Sequence, residues 1–150
     1  MRIFIMACLA FSMLPGWAQA DVLLADLVLK YGIGSRPGIV HGQLTNNGNK
    51  TVHLISVTSP SFGRIELHTH EKTGELMRMR KVERYAVEAG QSLSLKPGGK
   101  HLMLFEPKST DKQAPIALTF TFDDGQEVRR HVTPMLPKMR HSPDQHMGHH

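Results

Sequence analysis

Apolar residues recur along this chain in short runs, at period two or as brief continuous stretches, and each run is closed by Gly, Pro, Asn or Asp. Helical periodicity is nearly absent. Side chains alternate faces along a strand, so the pattern predicts strands over 23–30, 39–45, 51–57, 63–70, 75–82, 85–87, 92–95, 101–105, 116–122 and 127–133. The punctuation is strong. Asn46-Asn47-Gly48-Asn49 closes the second run, Thr73-Gly74 separates the fourth from the fifth, and Asp123-Asp124-Gly125 separates the last two. These ten short runs without helices predict an antiparallel β-sandwich with no internal repeat.

The two ends depart from this pattern. Arg2 precedes an almost wholly apolar stretch over 3–14, and Ala18-Gln19-Ala20 is a small-x-small cleavage site. Residues 1–20 therefore read as a secretory signal peptide cut before Asp21. The apolar stretch is too short to span a bilayer. Cys8 lies inside it without a leucine-led lipobox, so no stable membrane anchor is expected. Residues 135–150 hold Met139, His141, His146, Met147, His149 and His150, with almost no large apolar residue beyond Leu136. They predict a flexible His/Met-rich tail. The folded domain is expected over 21–134.

Composition narrows the chemistry. The formal charge is +5, one less once Arg2 is removed. The basic residues are scattered, with no basic helix or aromatic-rich strand, so no nucleic-acid partner is expected. Cys8 is the only cysteine and leaves with the signal peptide. The mature chain then has no disulfide and no thiolate, which excludes cysteine-ligated zinc, iron–sulfur and blue-copper sites. There is no Gly-x-Ser-x-Gly elbow and no His-Glu-x-x-His, and Asp21 is not the N-terminal histidine a histidine-brace oxygenase needs. The chain is not read as an enzyme.

Histidine and methionine concentrate on three predicted strands at period two. His68 and His70 share a face, Met77 and Met79 share one, and His101 and Met103 share one, with Leu102 and Leu104 opposite. The Thr73-Gly74 turn makes the first two of these strands a hairpin. Thioether sulfur is soft and neutral, so a set of imidazoles and thioethers selects Cu(I) over Zn(II), Ca(II) or Mg(II). Such a set adds no charge of its own and avoids burying a carboxylate. Taken singly, each methionine reads equally well as core and each histidine as surface.

Ile65-Glu66-Leu67-His68, Met77-Arg78-Met79-Arg80 and the run from Leu95 to Leu104 resemble the PCuAC periplasmic copper chaperones. That family's pattern is His, ten residues, Met, twenty-one residues, His, any residue, Met. His68, Met79, His101 and Met103 keep this spacing. The Ala89-Gly90 turn and Leu118-Thr119-Phe120 with Asp124-Gly125 are also similar, so the resemblance covers 46–133. It implies a cupredoxin-like β-sandwich with a partly exposed Cu(I) site formed by those four residues. It also implies delivery of copper to the dinuclear centre of the second subunit of cytochrome c oxidase, often with a thioredoxin-like Sco partner. Thr69-His70 stands where members often carry a methionine. His70 is then either an extra ligand for Cu(II) or a surface residue. Met77 and the tail residues His141, His146, Met147, His149 and His150 complete the secondary metal candidates, the tail being suited to Cu(II). The reading is a monomeric periplasmic copper carrier. The alternatives are copper storage or tolerance, or an exported binding module that holds no metal.

Overall fold

The computed structural model describes residues 21–135. The signal peptide over 1–20 and all but the first residue of the expected tail lie outside the described residues. The described chain forms ten strands: β1 (Val22–Lys30), β2 (Gly38–Asn46), β3 (Val52–Thr58), β4 (Phe62–Thr73), β5 (Leu76–Val82), β6 (Tyr85–Val87), β7 (Ser92–Leu95), β8 (His101–Pro107), β9 (Ile116–Phe122) and β10 (Glu127–Val132). Every run expected as a strand is one, and all the pairings between named strands are antiparallel.

The strands divide into two sheets. One has the order β1-β2-β8-β4-β5, and the other β10-β9-β3-β6. One edge of β2 is shared: Gly38 to Val40 pair with β8, and Gly42 to Thr45 pair with β7. Gly42 also meets the bulge of β1, where a Cβ would lie 2.6 Å from Leu27 Cδ2. The core fills from alternate positions, as on β9, where Ile116, Leu118, Phe120 and Phe122 are buried and the residues between them are not. Leu29, Val40, Leu44, Leu67, Leu102 and Leu104 meet them from the other sheet.

Departures from the alternation on β8 and on the β4–β5 hairpin shape the outer face of the first sheet. On β8, His101, Leu102, Met103 and Leu104 are all buried. The leucines enter the core, while His101 and Met103 are covered on the outer face of the first sheet. The β4–β5 hairpin does the opposite. It leaves the sandwich, turns at Gly74 in the left-handed region (φ 62°), and every residue from Glu71 to Lys81 is exposed.

One buried polar group ties the layers together. Asn46 is fully buried. Its Nδ2 donates to the carbonyls of Lys50 (2.8 Å) and Val87 (2.9 Å), and its Oδ1 accepts from Gly48 N (2.9 Å). The Asn46–Asn49 turn is therefore anchored to β6 of the opposite sheet.

Candidate metal centre

Directly opposed residues in an antiparallel pair share a face. His68 opposes His101, Glu66 opposes Met103, His70 opposes Met79, and Ile39 opposes Met103 from β2. One outer face of the first sheet thus carries His68, His70, Met79, His101 and Met103 together. Met77 opposes Lys72 on the same face, one step farther along the hairpin, and is 57% exposed. Met79 is 49% exposed and His101 only 3%.

Hydrogen bonds fix the tautomers of two imidazoles. His101 Nδ1–H donates to the Gly99 carbonyl (3.0 Å). Burial holds this imidazole below its ordinary pKa against the opposing effect of the Gly99 bond, and the adjacent His70 and His68 add to the lowering, which favours the neutral ring. Its Nε2 then carries a lone pair and faces Met79 Sδ at 3.2 Å. Two lone-pair donors point at each other, an arrangement satisfied by a cation rather than by a proton. In His68, Nε2–H donates to Glu66 Oε2 (2.9 Å), and Nδ1 is buried with no hydrogen-bond partner. A buried imidazole nitrogen left open beside a second imidazole is a donor atom awaiting an acceptor. The rings of His68 and His101 lie 6.0 Å apart.

Glu66 corrects the expectation that this face avoids a buried carboxylate. It is 9% exposed. Besides the His68 bond it takes Lys81 Nζ at 3.1 Å and is paired with Arg64. The His68 hydrogen bond, with Lys81 and Arg64, holds its carboxyl at about 2 against the opposing effect of burial. A carboxylate on the far nitrogen of an imidazole is the usual means of orienting a metal-binding histidine. Sequence reasoning missed Glu66, although it precedes His68 by two residues and so shares its face. His41 was missed as well. It follows Val40, the partner of Leu102, and its imidazole is held below the ordinary value by burial first, then by His101 and Lys30.

The backbone beneath the two opposed histidines is also fastened. His68 and His101 form the last rung of the β4–β8 ladder. The hydroxyl of Tyr85, reaching across the core from β6, contacts the His68 carbonyl at 2.5 Å and the His101 carbonyl at 2.9 Å. Burial pushes its phenol up to about 12.

Among the described residues no three His, Cys, Asp or Glu side chains form a metal-holding group. Met79 and Met103 add two thioether sulfurs to the imidazoles of this face. The donors present, neutral imidazoles and thioethers, fit a soft monovalent ion. Met103 is buried beside a cleft of about 320 Å³ lined by Tyr31, Ile33, Arg36 and Ile39. His141, His146, Met147, His149 and His150 lie outside the described residues.

The fold has close relatives among solved structures. The copper-bound PCuAC domain of PmoF2 superposes with a TM-score of 0.66 at 16% identity, covering 81% of this chain and 97% of that one. The apo PCuAC domain of PmoF1 gives 0.65 at 20% identity, covering 81% and 98%. An apo protein of Deinococcus radiodurans gives 0.59 at 19% identity, covering 92% and 94%. The resemblance to PCuAC domains drawn from the sequence is borne out by these folds. In sequence, the chain is 32% identical over 87 residues to an uncharacterized protein of Rickettsia prowazekii, covering 56% of this chain but only about half (48%) of that protein. It is 30% identical over 118 residues to a protein of Leifsonia xyli described as a lipoprotein, covering 77% of this chain and 70% of that one. A family model described as "Putative lipoprotein LpqE-like" matches residues 16–133, and the chain belongs to this LpqE-like family.

Proposed function

We propose that this protein is an exported copper carrier that holds Cu(I) with His68, Met79, His101 and Met103. The observation that carries the reading is the pair of open donors at the rung: His101 Nε2 facing Met79 Sδ, and His68 Nδ1 buried without a partner. Thioether and imidazole together favour Cu(I). The copper-bound state of the PmoF2 domain, which shares this fold, supports the same cargo. Half-exposed Met79 suits a carrier, since an acceptor must reach at least one ligand. Cytochrome c oxidase assembly, with a Sco-like partner, is the proposed destination, on the strength of the sequence resemblance. The His/Met-rich tail is proposed to capture Cu(II).

Export, with a periplasmic location, follows from the reading of 1–20, and the lipoprotein description of the Leifsonia relative supports passage out of the cytoplasm. Cleavage before Asp21 gives a mature form without Cys8.

The test is anaerobic Cu(I) titration of the protein against a competing chelator, repeated on Met79→Ala and His101→Ala and on a form ending at Met135. Both substitutions should weaken Cu(I) binding by roughly tenfold or more. The truncation should spare Cu(I) and lose Cu(II). Full Cu(I) affinity in both substituted proteins would overturn the site, and no binding at micromolar Cu(I) in the parent would favour a binding module without metal.

A further inference from the structure

We infer that His70 is an alternative imidazole donor to the metal, completing a set with His101 and Met79 at the outer end of the site. The inference rests on the copper reading above and extends its ligand set. His70 opposes Met79 directly across the hairpin, whereas His68 opposes Lys81. Its ring lies 5.3 Å from that of His101, closer than the ring of His68 does.

His70 Nδ1–H donates to the Gly99 carbonyl at 3.3 Å, the same oxygen that accepts from His101 Nδ1–H at 3.0 Å. One carbonyl with two lone pairs therefore fixes two rings in the same tautomer. In each of them Nε2 is left as the free donor, and among the described residues no hydrogen bond reaches His70 Nε2. A purely solvated surface histidine has no reason to be held in this way.

The donors then fall into two groups that share His101 and Met79. The inner group adds His68 and Met103, both strongly shielded from solvent. The outer group adds His70, which is half-buried and closer to the exposed hairpin. A Cu(I) ion entering or leaving past Met79 meets His70 before His68. One Cu(I) ion then exchanges between the two groups in the loaded protein, so His70 contributes to equilibrium binding as well as to entry.

The experiment uses the full chain, labelled with 15N at histidine and loaded anaerobically with one equivalent of Cu(I). The expected result is a change in the His70 Nε2 resonance together with that of His101. In chelator competition His70→Gln should weaken Cu(I) binding at least the roughly tenfold that an orienting partner alone is worth. Gln keeps an N–H for the Gly99 carbonyl, and the position is not in the core, so the fold is preserved. A His70 nitrogen unmoved at full loading, or a His70→Gln affinity equal to the parent's, overturns the inference. His101→Ala separates the two levels. Loss of binding there with His70 silent removes His70 alone, whereas unchanged binding in His101→Ala removes the copper site itself.

Discussion

Tyr85→Phe isolates the contact that joins the core to the candidate site. The substitution keeps the ring, which is 2% exposed and packed in the core, and deletes one hydroxyl. That hydroxyl is the donor shared by the carbonyls of His68 and His101. A buried hydrogen bond contributes about 1 kcal/mol net, and a buried carbonyl left without a donor costs about 1–3 kcal/mol. With two carbonyls sharing one donor, the expected loss is about 2–3 kcal/mol. For a domain of this size that corresponds to a fall in Tm of roughly 8–12 °C. The same contact sets the spacing of the last rung, so Cu(I) affinity should fall several-fold in chelator competition even at temperatures where the variant is fully folded. The phenol adds a signature in pH. Its folded-state value is raised from 10.0 to about 12, so its contribution is complete below pH 10 and is lost as pH climbs through about 12. The parent should therefore destabilise in that alkaline window more steeply than Tyr85→Phe. Thermal melts followed by circular dichroism between neutral pH and pH 12 measure both effects. A variant with the parent's Tm and the parent's Cu(I) affinity would refute the reasoning.

Two further outcomes are expected. Glu66 has its carboxyl lowered from 4.5 to about 2, chiefly by the His68 hydrogen bond. A lowered value stabilises the fold above the unfolded-state pKa, and that contribution disappears as pH falls from 4.5 towards 2. Glu66→Gln should flatten the acid limb of Tm against pH, and acid limbs of equal slope in parent and variant would contradict the assignment. Asn46→Ala removes three hydrogen bonds from a fully buried amide, and urea unfolding should show a loss of about 2–4 kcal/mol with an unchanged m-value. A loss below about 1 kcal/mol would mean that water replaces the amide.

Strand positions were legible because burial on one face imposes period two, as on β9 and β2, and because Gly, Asn and Asp mark the turns. The Thr73-Gly74 hairpin followed from turn chemistry, and strand phase put His68 with His70, Met77 with Met79 and His101 with Met103, whereas the choice of His68, Met79, His101 and Met103 came from the spacing of the resembled family. Three features did not. The sharing of one edge of β2 between β7 and β8 depends on long-range pairing that no local pattern encodes. The pairing of His70 rather than His68 with Met79 depends on where the turn places the register, since a shift of two residues keeps every side chain on its face. Glu66 was hidden because a carboxylate two residues from a histidine reads as surface polarity until its burial is known. Tyr85 likewise reads as plain core, because its partners are backbone carbonyls on strands remote in sequence.

The exposure of every residue from Glu71 to Lys81 has a consequence for how the candidate site opens. Detaching this arm exposes almost no apolar surface, so its opening free energy lies far below that of global unfolding. His68 and His101, pinned from beneath by Tyr85, are expected to share the slow exchange of the core. Met79 rides on the part that breathes. Amide exchange should therefore run early through β5 and late through β8 and β9. On the proposed ligand set, the protein can release Met79 many times without once unfolding, and the local breathing of the arm, rather than the stability of the sandwich, sets the pace at which that shell loosens.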